Sequence, residues 1–460
     1  MTARARAGRL AGRVVRTSLA VAGACLWAAP PGFAQTSGGR PLFGGDVRSS
    51  ARRPLVDFTV SLSGARDDDL AADQGATASP AQGQIGGLYQ DFDGSMSFAV
   101  PHRHVTVAAH ATTTLRRYPV LDDFVASSYS AGFALAANWG ARTTIQTSLD
   151  TNHVSNFAFD TFSRRTGADQ RPLLSPEAKD ASVDWTSRSS GATASLTRTV
   201  GRRSSLVVSS GLRYSERPIV GEHDKAYTVG ASVGRSVGPH MALRVGYAYR
   251  RGLQVLARDT REASSHDGQI VVEREWRHSP SRRTVASLSS GLSLLQEDAA
   301  LPAGGAAPPD DAAAQGPGTG RAGLVRVVGL AALDHQMSRG WTLRTTYRRG
   351  AGLRDAKVFS NTATLEMLGG IGRRIDVTMS AGYSDGEIGI EAVDNRFGTS
   401  FGSARIRLAL SRYVAAYGQF YRYRYDFGRS ATLPAGSPTE LNRSGVRAGI
   451  TLWAPLHRGS

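Results

Sequence analysis

The stretch Val200–Glu216, "VGRRSSLVVSSGLRYSE", begins with a glycine and two arginines after its first valine and then alternates. Leu206, Val208, Leu212 and Tyr214 share one parity, while Ser205, Ser209, Gly211 and Arg213 share the other. Successive side chains of a strand point to opposite faces, so one face here is apolar and the other small, polar or basic. Strands of soluble sheets usually end after about five or six residues. This one continues for about a dozen, roughly what a tilted strand needs to cross a bilayer.

The same alternation recurs along the chain. "LYQDFDGSMSFAV" places Leu88, Phe92, Met96 and Phe98 opposite Asp91, Asp93, Ser95 and Ser97. "HVTVAAHATTTL" sets Val105, Val107 and Leu115 against Thr106, His110 and Thr114. "YSAGFALAANW", "AYTVGASVGRSV", "MALRVGYAYR", "TVASLSSGLSLL", "WTLRTTYRR", "IDVTMSAGYSD", "ARIRLALS" and "NRSGVRAGITLW" repeat it. Period two sustained this often does not come from helices.

The connections alternate too. Tight turns rich in Gly, Pro, Ser and basic residues occur at "VPHRHV", "NWGART", "VGRRSS", "VGPHM", "RHSPSRR", "QMSRGW", "GIGRRI" and "LSRYVA". Between them lie longer polar insertions such as "RDDDLAADQGATASPAQGQ", "NFAFDTFSRRTGADQRPLLSPEAKD" and "QEDAALPAGGAAPPDDAAAQGPGTGRAG". Short turns at one end and long loops at the other are the asymmetry of an outer-membrane barrel, with its turns in the periplasm. The prediction is an all-β fold, a transmembrane antiparallel up-and-down barrel of about 18 strands, with about 16 or 20 as the neighbouring counts. An even number returns both ends to one side. "ASVDWTSRSSGATASLTRTV" changes parity near Ser187 to Ser190, which predicts either a bulge or a strand boundary.

The ends of the chain agree with export. Arg4, Arg6, Arg9, Arg13 and Arg16 precede a short apolar run that closes on Gly32, Phe33 and Ala34, the plan of a secretory signal peptide over residues 1–34. A flexible periplasmic lead-in over 35–53, a barrel over 54–456 with a disordered Pro/Gly/Ala-rich outer loop at about 297–322, and a tail over 457–460 complete the predicted organisation. Cys25, the only cysteine, lies within the signal, which excludes disulfides and thiolate sites from a cleaved chain. No later run is apolar enough for a transmembrane helix, so a barrel is the one membrane-spanning form open to it. The net charge of +17 across 460 residues points, for an exported surface, to anionic lipid, lipopolysaccharide or acidic polymer. The arginines form no recognition helix or patch, so nucleic acid is not an expected partner.

On the apolar parity, aromatic side chains gather near strand ends. Trp139, Trp276, Trp341, Tyr347, Tyr383, Tyr413, Tyr417 and Trp453 are the predicted interfacial girdle. The opposite parity is expected to line the lumen. Early strands bring the acids Asp57, Asp91, Asp93, Asp150 and Asp184. Later strands bring Arg213, Arg244, Arg250, Arg326, Arg344, Arg348, Arg405, Arg407, Arg422, Arg424, Arg443 and Arg447. Set on opposed arcs, these charges would create a transverse field, and an arginine row can grip carboxylates or phosphates in bidentate fashion. Interior charges that pair across strands and stiffen the wall are the alternative.

The C-terminal stretch "NRSGVRAGITLWAPL" resembles the last strand, here around Arg443 to Leu456, of porin-like barrels encoded beside exopolysaccharide or capsule export genes of Gram-negative bacteria. The resemblance implies insertion by the outer-membrane assembly machinery and a role in passing or anchoring polysaccharide alongside export components. One departure is that Trp453 is followed by "APLHRGS", without a terminal aromatic.

Chemistry-bearing motifs are weak. His110 shares the inward parity near Ser148, Asp150 and His153, a formal His/Ser/Asp set, as lipase- or deacylase-type barrels would need. There is no HExxH pair or Walker loop. His102 and His104 of "PHRHV" have no further ligands at zinc spacing. The expected function is therefore not enzymatic and uses no cofactor or metal. It is a porin-like channel for polar, anionic solutes, with a loop-plugged structural or docking barrel as the second reading.

Overall fold

A computed structural model describes residues 55–68, 70, 86–102, 104–154, 187–217, 222–255, 259–279, 282–302, 322–338, 340–352, 358–372, 374–388, 396–427 and 440–458. The predicted signal peptide, the lead-in, Asp184 and most of the Pro/Gly/Ala tract lie outside the described residues.

The described chain is a single closed sheet of 18 antiparallel strands. The first nine are β1 (Leu55–Asp67), β2 (Gly87–Pro101), β3 (Val105–Tyr118), β4 (Phe124–Trp139), β5 (Thr143–Val154), β6 (Ser187–Thr199), β7 (Ser204–Arg217), β8 (Glu222–Gly238) and β9 (Met241–Val255). The rest are β10 (Asp259–Ser279), β11 (Arg282–Pro302), β12 (Ala322–Ser338), β13 (Trp341–Gly352), β14 (Val358–Ile371), β15 (Ile375–Ile388), β16 (Arg396–Ala409), β17 (Val414–Phe427) and β18 (Glu440–Arg458). Each strand pairs with its sequence neighbours, and β1 closes the wall by pairing with β18 as well as β2.

The eight predicted tight turns fall between β2 and β3, β4 and β5, β6 and β7, β8 and β9, β10 and β11, β12 and β13, β14 and β15, and β16 and β17. All of them therefore sit at one end of the barrel. Gly140 and Gly372 take positive φ of 71° and 65° in two of these turns, which a residue with a Cβ rarely adopts. At the opposite end Asp122 and Asp123 do so, with φ of 50° and 58°, in the tight connection between β3 and β4. Aspartate tolerates this region better than most residues.

One open alternative of the sequence reading is decided, and two boundaries differ from it. β6 begins at Ser187 and pairs with β5 and β7 without a register shift, so the parity change there marks a strand start and not a bulge. β11 runs on to Pro302, paired with Asp259, and β18 to Arg458, paired with Leu55. Backbone pairing is blind to side-chain composition, so a neighbour of sufficient length carries the ladder into segments whose residues resemble loop or tail.

The two faces differ in kind. Leu62, Leu88, Val229, Val245, Leu292, Val325, Ile406, Phe420, Val446 and Ile450 stand exposed on one face of their strands. The alternate positions carry the buried polar groups, among them Ser61, Ser63, Asp91, Thr114, Thr197, Ser293, Thr378 and Arg447. Side chains crowd on the concave side of a closed wall and splay on the convex side. The apolar rows therefore face outward and the polar rows inward, the arrangement in which strands cross a bilayer.

Leu292, 57% exposed near the middle of β11, tests this directly. Leu292→Arg is expected to lower unfolding stability in lipid by about 2–4 kcal/mol, and Leu88→Arg, at the loop end of β2, by about 0–1 kcal/mol. Denaturant titration of both variants in vesicles measures the difference.

Candidate functional site

The register assigns each predicted lumen residue to a face. Asp57, Asp91, Asp93, Asp150, Arg213, Arg244, Arg250, Arg344, Arg348, Arg405, Arg407, Arg443 and Arg447 lie on the inner rows, in phase with the buried polar positions of their strands. Arg326 stands at the loop end of β12, where it reaches Glu387 at 3.2 Å and lies 4.9 Å from the Phe359 ring centroid.

Arg422 and Arg424 are corrections. They continue the outward row of Phe420, are exposed, and Arg424 meets Glu440 at 3.5 Å. The inner row of β17 belongs instead to Tyr417, Gln419, Tyr421 and Tyr423, all buried. "YRYRYDF" alternates two amphipathic residue types, and at a strand end either can serve the headgroup region. The choice was made by the Tyr421 phenol, which reaches the buried Asp67 carboxylate inside.

The densest polar site lies where the chain's two ends meet. Arg443 of β18 is 1% exposed and donates to Asp67 of β1 at 2.6 Å. The Tyr421 hydroxyl donates to the same carboxylate and contacts the Tyr89 hydroxyl at 3.1 Å. One turn-ward step along β18, Arg447 pairs with Asp91 of β2, donates to Asp93 at 3.0 Å and reaches the Ser63 hydroxyl at 2.9 Å. From the other side Arg116 of β3 approaches Asp91 at 3.5 Å and lies 5.3 Å from the Tyr89 ring centroid. Thr114 donates to Asp93 at 2.7 Å, and Ser61 and Thr451 share a hydrogen bond at 2.9 Å. Five consecutive strands, β17, β18, β1, β2 and β3, are thus linked through side chains as well as backbone.

An apolar cluster caps this network at the loop end. Leu70 is fully buried against Ala65, Tyr89, Tyr118, Leu121 and Ala126, with Phe124 packed beside them. Leu70 approaches so closely that a Cβ on Gly87 would lie 2.8 Å from it. The chain leaving β1 therefore folds inward before it returns to β2.

Elsewhere on the inner wall, acids and arginines also meet as neighbours. Arg250 pairs with Asp267 at 3.3 Å, Arg283 with Glu275 at 2.9 Å, Arg344 with Asp334 at 2.5 Å, and Arg407 with Asp376. The expected opposed arcs of unlike charge are corrected by this interleaving. Closure brings early acids beside late arginines, so their fields cancel locally. Arg244 and Arg405 differ: among the described residues neither forms an ion pair, and Arg405 lies 4.3 Å from the Tyr417 ring centroid. From β4 to β8 the inner rows are mostly Ser, Thr, Gly and Ala, for example Ser128, Ser130, Gly132, Ser148, Thr193, Ser195, Ser209 and Gly230.

The formal His/Ser/Asp set does not assemble. His110 and Asp150 face inward on either side of Gly132, and Ser148 faces inward bonded to Thr193 at 2.6 Å. His153 is on the outer face, its ring 4.9 Å from that of Tyr129. Among the described residues no group of three or more metal-ligating side chains comes together.

Of the girdle residues, Trp139, Trp276 and Trp341 stand on outward rows at the turn end, and Tyr347 and Tyr383 on outward rows nearer the loop end. Trp341 lies over Gly369, where a Cβ would approach its ring within 2.1 Å. Tyr417 and Trp453 are corrections: both belong to inner rows. Trp453 stacks at 6.1 Å on Tyr413 of the β16–β17 turn, and the two stand together at the turn-side rim. Tyr89, Tyr118, Tyr421, Arg116 and Leu70 were missed as interior residues. For Arg116 and Tyr118 the signal was present in their shared parity with Thr114.

A closed barrel with lipid-compatible rows outside and a polar wall inside has one physical setting. The chain is a closed β-barrel of membrane-spanning form. No family model matches the chain, and no curated protein matches it in sequence. Among solved structures it is similar to the ferric-catecholate import receptor Fiu of E. coli, at 8% identity and TM-score 0.41 over 87% of this chain and 81% of that one. It is also similar to OpdF of Pseudomonas aeruginosa, at 9% identity and TM-score 0.42 over 88% and 98%. For OccAB4 of Acinetobacter baumannii the values are 9%, 0.39, 89% and 100%. Scores of this size carry nothing about activity or solute.

The Asp67 carboxylate organises the seam, and Asp67→Asn removes its negative charge from beside the buried Arg443. The variant is expected to lose about 3–5 kcal/mol of unfolding free energy, and Asp67→Asn combined with Arg443→Met to regain much of it. Denaturant titration in detergent, with heat-modifiable gel mobility as the readout of closure, measures both.

Proposed function

We propose that the barrel is a porin-like channel that passes polar solutes with a preference for anions. The observation that carries this reading is an inner wall built for water, with hydroxyl, glycine and charged positions on its inward rows and with Arg244 and Arg405 in no ion pair among the described residues. A guanidinium group without an ion pair offers donors to a carboxylate or phosphate, the groups that acidic saccharides present. The resemblance of the last strand around Arg443 to Leu456 supplies the setting, exopolysaccharide export, and insertion by the outer-membrane assembly machinery. Lipid and lipopolysaccharide are the partners of the apolar exterior.

A second reading, a barrel closed by its own loops that serves as a docking element, is favoured by Leu70, which lies inside the wall at the loop end. Conduction separates the two. In planar bilayers the wild-type barrel is expected to conduct with a reversal potential on the anion side. Arg244→Glu with Arg405→Glu should move that potential toward cations by more than Arg407→Glu, whose parent side chain is already paired with Asp376. Silence of the wild type, with conductance appearing when residues 71–85 are deleted, would establish the closed reading instead.

A further inference from the structure

The tight turns of the barrel carry charge of one sign. Their connecting segments, 102–104, 140–142, 200–203, 239–240, 280–281, 339–340, 372–374 and 410–413, contain no aspartate or glutamate. Arg142, Arg202, Arg203, His240, Arg374 and Arg412 are exposed there, and among the described residues none forms an ion pair. Exposed Arg198, Arg235 and Arg274 extend this ring onto the outward face of β6, β8 and β10 just above the turns. At the loop end three outward cations are paired with acids. Arg117 is held by Asp123 at 3.1 Å, Arg251 by Glu262, and Arg424 by Glu440 at 3.5 Å.

A closed ring of like charges repels itself unless anions gather round it. The aromatic side chains of the same end fix the depth at which those anions must lie. Outward Trp139, Trp276 and Trp341 occupy the same end, and such rings settle at the boundary between acyl chains and headgroups. Arg274 lies 5.0 Å from the Trp276 ring centroid, a cation held against that boundary residue. Arg198, Arg235 and Arg274 point outward into the lipid zone, where a soluble polymer has no access.

We propose that the turn-side rim binds the phosphates of anionic phospholipids in the leaflet it faces, and that this ring fixes the depth of the barrel. The inference rests on the membrane-spanning reading of the fold and is independent of conduction. Its ligand is a lipid surface, and its recognition is phosphate against guanidinium.

The test reconstitutes the full barrel into nanodiscs of equal parts phosphatidylglycerol and phosphatidylcholine. The lipid that stays with the protein after mild detergent exchange is then counted by native mass spectrometry. The wild type should retain phosphatidylglycerol severalfold over phosphatidylcholine and lose that preference in a high-salt wash. A variant with Arg202→Gln, Arg203→Gln, Arg374→Gln and Arg412→Gln should lose it at low salt while keeping heat-modifiable mobility. Arg422→Gln with Arg424→Gln, at the loop end, should leave it intact. Equal retention of the two lipids by an inserted wild-type barrel overturns the proposal, as does a lipid preference unchanged in the turn variant while its binding of soluble polyglutamate is lost. A chain that stays outside the discs and soluble overturns the membrane reading itself.

Discussion

Everything in this molecule depends on closure. A sheet that crosses a bilayer must satisfy every backbone donor and acceptor within itself, because hydrocarbon offers no substitute. An open edge of β1 or β18 would leave a row of such groups facing lipid. The ladder from Leu55 paired with Arg458 to Asp67 paired with Gly445 removes that edge. The same seam carries the most buried ionic groups of the inner wall, Asp67 with Arg443 and Asp91 with Arg447. Backbone pairing supplies the continuity of the wall. The ion pairs favour one register, since sliding β18 by a single residue would turn both arginines out toward lipid.

Closure also decides what the interior charges can do. Carboxylates of β1 and β2 and guanidinium groups of β18 are far apart in the chain but adjacent in the wall, so they neutralise each other. The rows from β4 to β8 carry small hydroxyl and glycine positions instead, which leave room on that side. The inner surface thus has a packed, bonded arc at the seam and a smoother polar arc away from it. Arg405, stacked on Tyr417, and Arg244, beside Gly234, stand outside the network of pairs.

The distribution of charge along the barrel axis follows a different logic from that around its circumference. Inside, cations meet acids across strands. Outside, Arg117, Arg251 and Arg424 at the loop end meet acids, and among the described residues the cations of the turns form no ion pair. The tight turns use Gly, Ser and Pro for backbone geometry, and their charged positions are filled by arginine and histidine.

The sequence by itself determined the strands, the faces and the two unlike ends. Period-two alternation is a local property, set by the pleat and by the need to match lipid on one side and water on the other, so it can be read from neighbouring residues. The eight turns and the count of 18 followed from the same local signals. Only the tertiary structure decided which charge meets which. The partners Asp67 and Arg443 come from opposite ends of the barrel segment, and nothing local to either marks the other. It also decided the phase of β17, where tyrosine and arginine alternate and both can face an interface. Tyr421 turned inward because Asp67 and Tyr89 were waiting across the seam, a fact that exists only once the first and last strands have paired.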